Sequence, residues 1–132
     1  MKQSPAPVVI TLCGSTRFKD HFMAMQQRET LLGKIVLTVG FFHHKEQVPI
    51  TAKDKVMLDN LHLRKIDLSD EIFVINPNGY VGESTTNEIA YAVARHKYIK
   101  WFEDGEAWME DNSHKLGKLV AHFMQYDTVP EG

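Results

Sequence analysis

Two clusters of residues in this chain have the types and spacing to do chemistry. The first is Thr85-Thr86-Asn87-Glu88, where a carboxylate follows a hydroxyl at the S/T-x-x-E spacing of a helix capping box. A glutamate in that place satisfies backbone N–H groups and the helix dipole without reacting with anything. The same carboxylate, held beside hydroxyls and an anion site, can attack or stabilise an electron-poor sugar carbon, as carboxylates do in glycosyl transfer. The second cluster is Gly14-Ser15-Thr16-Arg17. Glycine admits close backbone approach, hydroxyls and helix N–H groups donate, and Arg17 adds a forked cation, a set that suits a phosphate. A capped helix start accounts for Ser15 and Thr16 equally well. Neither the G-x-x-x-x-G-K nor the G-x-G-x-x-G phosphate-loop pattern is present.

The histidines His43, His44 and His62 do not make a metal set by spacing, because the first two are adjacent and no HExxH or matching Cys/His pattern occurs. No metal and no cofactor are expected. A histidine near the site suits a proton donor or a hydrogen-bonding group for a base edge. Asp59 and Asp70 default to solvated or capping roles. Phe41, Phe42, Tyr80 and Tyr91 could stack on a base, although packing is the commoner use of aromatics.

The elements that must position these groups follow from apolar runs and punctuation. Val8–Cys13 and Ile35–Val39 read as buried strands, Glu71–Asn76 as a third, and Tyr98–Phe102 as a fourth. Helical spacing recurs over residues 16–32, with Gly33 placed as a C-cap, over 54–68, after the Thr85–Glu88 box, and in one final helix after Asp104-Gly105. The capping box places Glu88 in the first turn of its helix. Residues 41–52 show no clear period and read as a loop over the strand ends. The tail beyond Tyr126 is expected to fray. Strands alternating with helices predict an α/β three-layer sandwich, flavodoxin-like or Rossmann-like, with a parallel sheet of four or five strands. Ligands of such sheets bind beyond the carboxyl ends of the strands, the edge at which both clusters fall.

Composition bounds the rest. A chain of 132 residues predicts a single domain over residues 1–132. Its 43% hydrophobic and 24% charged residues are those of an ordinary globular protein. A net charge of −2 argues against a nucleic-acid polymer held by its backbone, while a small anionic ligand stays compatible. The lone Cys13 lies in an apolar run and reads as a reduced, buried thiol, which points to the cytoplasm. Met1–Pro7 lacks a long apolar region behind it and no stretch reaches membrane-span length, so neither export nor a membrane partner is expected.

Taken together, C-G-S-T-R-F at 13–18, S-D-E-I-F-V-I-N at 69–76 and G-Y-V-G-E-S-T-T-N-E-I-A-Y-A at 79–92 resemble the nucleoside 2-deoxyribosyltransferase superfamily, which includes 2′-deoxynucleoside 5′-phosphate N-hydrolases. The resemblance implies that Glu88 is the nucleophile, with His62, or Asp59 one turn earlier, serving the departing base. It implies that Gly14, Ser15, Thr16 and Arg17, with Asn76, Gly82, Ser84 and Thr85, surround the sugar and phosphate. This chain has Thr11 where the hydrolases commonly have a tyrosine, and His62 where they have an aspartate. Members are similar in assembling homodimers or larger homo-oligomers with sites near subunit contacts. The implied activity is an N-glycosidase acting on a (deoxy)nucleoside 5′-monophosphate. The alternatives are base exchange between nucleosides, or a module that binds nucleotide without cleaving it.

Overall fold

The structure, a computed structural model, describes residues 5–125. Expectations for the first residues and for fraying beyond Tyr126 lie outside the described residues. In chain order the elements are β1 (Val9–Gly14), α1 (Lys19–Leu31), β2 (Ile35–Leu37), α2 (Ala52–Asp67), β3 (Glu71–Ile75), a 3-10 turn (Pro77–Gly79), α3 (Glu83–Ala94), β4 (Tyr98–Trp101), α4 (Glu106–Asp111) and α5 (Ser113–Met124). The strands form one parallel sheet in the order β2-β1-β3-β4. Helices cover both faces, the expected three-layer α/β arrangement with four strands.

Alternation along the strands divides the core between those faces. Ile10 and Leu12 of β1, with Phe73 and Ile75 of β3, pack under Phe22 of α1 and Phe42 of the following loop. Cys13, Ile72 and Val74 point the other way, into Leu63 and Ile66 of α2, Ile89 and Ala90 of α3 and Leu116 of α5. The small residues Ala90 and Ala92 are fully buried, which lets α3 lie close on the sheet. The strand order reverses direction between β1 and β3, so their carboxyl ends flank the switch point where a cleft opens. Gly14 lies at that point. A Cβ on it would come within 2.8 Å of the Ile75 carbonyl oxygen, so the close approach of β1 and β3 there requires glycine.

Toward the amino ends of the strands the core holds an ionic cluster. Glu29, fully buried near the end of α1, accepts hydrogen bonds from Lys34 Nζ at 3.0 Å and Lys100 Nζ at 2.8 Å, and Lys34 reaches Glu71 at 2.8 Å. The cluster ties α1 to β3 and β4. Beyond β4, Trp101 and Trp108 pack with ring centroids 6.0 Å apart, and a Cβ on Gly105 would fall 2.2 Å from the Trp101 ring.

Most boundaries fall within two residues of expectation, and three differences alter the local structure. Residues 16 and 17 form a turn, in which Phe18 N–H donates to the Ser15 carbonyl, and α1 starts only at Lys19. β2 stops at Leu37, two residues short of the apolar run. The final helix is two, α4 and α5, broken at Asn112, whose side chain donates to the Trp108 carbonyl at 2.9 Å. No helix among the described residues is long and apolar enough to cross a membrane.

Candidate functional site

The cleft beyond β1 and β3 has a volume of about 540 Å³ and is lined by Gly14, Ser15, Thr16, Arg17, Asp59, His62, Gly82, Ser84, Thr85 and Glu88. Ten of the eleven candidate residues therefore meet in one place. Asn76 does not. It is 1% exposed, and its side chain donates to the Glu103 carbonyl at 3.0 Å and accepts from the Glu103 N–H at 2.8 Å. Both ends of the amide are used to pin the exit of β3 to the segment after β4, so Asn76 is a structural residue rather than a ligand contact. Thr11 is also buried away from the cleft, its hydroxyl engaged with Ser69 and the Lys65 carbonyl.

The rim is polar and cationic. Arg17 is exposed, donates from Nε to Ser15 Oγ at 3.0 Å and lies 4.5 Å over the Tyr80 ring, which holds the guanidinium at the mouth. Neither Ser15 nor Thr16 caps α1, whose start at Lys19 carries no side-chain cap. Thr16 instead hydrogen-bonds His44 Nδ1 at 2.6 Å and so fastens the 38–50 loop to the turn after β1. His43 and His44 stack with centroids 4.3 Å apart, and burial lowers the pKa of His43, helped by the charges of His44 and Lys55. Of the four aromatic candidates, Phe41 and Tyr80 line the cleft, while Phe42 and Tyr91 are core residues.

Helix α2 delivers one wall. Thr51 Oγ1 accepts from the Asp54 N–H at 3.0 Å, and the Asp54 carboxylate accepts from the Thr51 N–H at 3.1 Å. This is a capping box with aspartate in the glutamate position. It starts the helix so that Lys55, Asp59 and His62, at helical spacing, all line the cleft. Lys55 Nζ donates to Asp59 at 2.8 Å and to Ser84 Oγ at 2.9 Å, bridging α2 to α3.

Helix α3 delivers the other wall, with a correction. Its N-cap is Gly82, it begins at Glu83, and no side chain caps it. Thr85 and Glu88 therefore form no capping box; Glu88 sits in the second turn and Thr86 Oγ1 donates back to the Gly82 carbonyl at 2.8 Å. The first-turn N–H groups of an uncapped helix lack intrahelical partners, and here that turn borders the cleft.

Glu88 is thus free of helix duty and lies against His62 and Cys13. His62 Nε2 is 3.6 Å from Cys13 Sγ and 4.0 Å from Glu88 Oε1, and Glu88 Oε1 is buried with no hydrogen-bond partner. Burial, reinforced by the charge of Asp59, pushes the Glu88 carboxyl up to about 8. Burial, with Lys65 beside it, pushes His62 down to about 4, despite a hydrogen bond to the Leu12 backbone. The Cys13 thiol is raised by burial and by Glu88. The His62–Glu88 contact is therefore a neutral pair at pH 7, not an ion pair. Three buried titratable groups without a counter-charge beside a cleft make this a candidate functional site.

Spacing along the chain did not point to Cys13, Lys55 or His44. Lys55, four residues before Asp59, was available as a helix pair; Cys13 and His44 carried no such signal. No family model, curated protein or solved structure matches the chain.

Proposed function

We propose that the protein is an N-glycosidase of (deoxy)nucleoside 5′-monophosphates, with Glu88 as the nucleophile. The observation that carries this reading is a buried, uncompensated carboxyl on the wall of a nucleotide-sized cleft, whose rim bears Arg17, Lys55 and an uncapped helix N-terminus. The phosphate is held by Arg17, Ser15, Ser84 and the first turn of α3, which fixes C1′ against Glu88. Positive charge developing on the sugar is the cation that Glu88 lacks, so the carboxylate interacts more strongly with the oxocarbenium-like transition state than with the ground state.

The ionised Glu88 oxygen bonds to C1′ as the bond from C1′ to the base nitrogen breaks, and the electron pair leaves with the base. The base departs as its anion and takes its proton from solvent; Asp59, a carboxylate ion-paired with Lys55 and open to solvent, then takes a proton from the water whose oxygen bonds to C1′ as the bond from C1′ to Glu88 breaks. Retention at C1′ follows from the two displacements. His62, neutral and turned toward Glu88, positions the nucleophile. With its pKa pushed up to about 8 by burial, Glu88 is mostly protonated at pH 7 in the empty cleft, and attack uses its ionised form. Base exchange would use the same first displacement. The family resemblance to nucleoside 2-deoxyribosyltransferases agrees with this assignment. A homo-oligomer is part of the proposal: Val56, Met57 and Leu61 of α2 are each about half exposed, and Leu61 also borders the cleft.

A second reading, a module that binds nucleotide without cleaving it, draws support from the protonated Glu88, which can donate a hydrogen bond to a ribose hydroxyl. Incubation with a panel of nucleoside and deoxynucleoside monophosphates, followed by chromatography of free base, separates the two. Base release from at least one substrate is expected. Thermal stabilisation by nucleotide without base release would favour the binding module.

A further inference from the structure

We propose that Cys13, His62 and Glu88 form a binding site for one zinc-class divalent cation, with the fourth coordination position open to the cleft. Each donor comes from a different element, the end of β1, the middle of α2 and the second turn of α3. One ligand atom from each lies within 4.8 Å of the other two. On a tetrahedral zinc ion, a thiolate sulfur and an imidazole nitrogen stand about 3.6 Å apart, and nitrogen and carboxylate oxygen about 3.4 Å. The observed Cys13 Sγ to His62 Nε2 separation is 3.6 Å, and His62 Nε2 to Glu88 Oε1 is 4.0 Å. Only the carboxylate has to close in, by about 0.6 Å toward His62 and from within 4.8 Å of Cys13 Sγ.

Two further features point to an ion. Glu88 is 8% exposed, yet its Oε1 faces His62 with no hydrogen-bond partner, an unmet acceptor that a cation would satisfy. The Leu12 backbone also hydrogen-bonds His62, an anchor of the kind that orients metal-bound histidines. Thiolate, imidazole and carboxylate together suit zinc or cobalt rather than magnesium or calcium. His62 and Glu88 line the cleft, so an ion they hold has solvent or ligand as its fourth partner. On binding, the Cys13 S–H and any proton on Glu88 pass to solvent, sulfur–metal and oxygen–metal bonds form, and no electron is transferred. His62 lies 49 positions after Cys13, which is why no ligand spacing is visible in the sequence.

Where Glu88 is the nucleophile, the ion occupies the electron pair that attacks C1′, so zinc is a reversible inhibitor. That corollary rests on the proposed function; the binding does not.

The test titrates chelator-treated, full-length protein with cobalt(II) and then zinc(II), in the absence of nucleotide. One equivalent of cobalt is expected to give a thiolate-to-cobalt charge-transfer band and tetrahedral d–d bands, which zinc abolishes. Cys13→Ser should remove the charge-transfer band. Cys13→Ser and Glu88→Gln should each weaken zinc binding by roughly a thousandfold or more, beyond the ~10–100-fold cost of outer-shell changes. The double variant His43→Ala/His44→Ala should bind as the parent does. Absence of stoichiometric binding, binding indifferent to both Cys13→Ser and Glu88→Gln in folded protein, or binding lost in the His43/His44 variant would overturn the site. Cobalt binding without base release from the metal-free protein would sink the glycosidase and keep the ion site; base release without cobalt binding would do the reverse.

Discussion

Among the described residues two glutamates are buried, and they are opposites. Glu29, with its carboxylate fully buried, meets two lysine ammonium groups at 2.8 and 3.0 Å, and these hold its pKa below the usual carboxylate value although burial alone would raise it. Glu88 is buried to a similar degree with a neutral histidine and a thiol for company, and its pKa rises to about 8. Burial without a cation raises the one, and two lysines outweigh burial at the other. A carboxylate matched by cations inside the fold is stable and inert; one left unmatched beside a cleft is available to whatever positive charge enters. The first lies toward the amino ends of the strands and fastens α1 to the sheet, and the second lies at the carboxyl ends where ligands bind.

The sharpest break between them is functional. With Glu88 as nucleophile, Glu88→Gln should lower turnover by roughly 10⁴-fold or more, while Glu29→Gln should leave turnover per folded molecule unchanged. Unchanged turnover in Glu88→Gln, measured by base release, would remove the nucleophile. The next effect is on stability. Glu29→Gln leaves Lys34 with Glu71 alone and takes the carboxylate from Lys100, and should cost about 1–3 kcal/mol in denaturant unfolding, whereas Glu88→Gln should be close to neutral or stabilising above pH 7.

The pH dependence of the metal-free protein separates them again. The folded pKa of Glu88 lies above its ordinary 4.5, so the folded state keeps a proton that the unfolded chain loses, and stability falls as pH rises from about 4.5 to about 8. Glu29 has the opposite sign: its contribution is present above 4.5 and is lost as pH falls below it. His62, lowered from 6.5 to about 4, adds to the acid loss, because the unfolded chain takes up its proton first. Unfolding midpoints across pH should therefore lose their alkaline slope in Glu88→Gln and part of their acid slope in Glu29→Gln. The smallest effects fall on Glu88 itself. Asp59→Asn should lower its titration midpoint and Lys55→Met should raise it, as read from the carboxyl carbon shift, since Asp59 disfavours the carboxylate and Lys55 favours it. Equal midpoints in both variants would mean that their charges do not reach Glu88.

Four apolar runs between turn residues were enough to read the parallel sheet and its ligand edge, because β-branched runs and crossovers leave few other topologies. The site was legible only where local pattern and geometry coincide. Gly14–Arg17 and Glu88 reach the cleft, but the reason given for Glu88 fails: Thr85-x-x-Glu88 has the letters of a capping box while the helix already starts at Glu83 behind an extended Gly82. The true box, Thr51 with Asp54, escaped the S/T-x-x-E template through its shorter carboxylate. Asn76 lay in a suggestive motif, yet its partner Glu103 comes from beyond β4, a pairing that no local pattern encodes. Cys13 meets His62 and Glu88 only because α2 and α3 both pack on the face of β1 that it occupies.

The two tryptophans of the chain, Trp101 and Trp108, sit together on the α5 side of β4, and neither borders the cleft. The protein thus carries an optical reporter insulated from the cleft. Tryptophan emission should hold steady as a nucleotide or metal ion fills the cleft, and change when α4 and α5 leave the sheet.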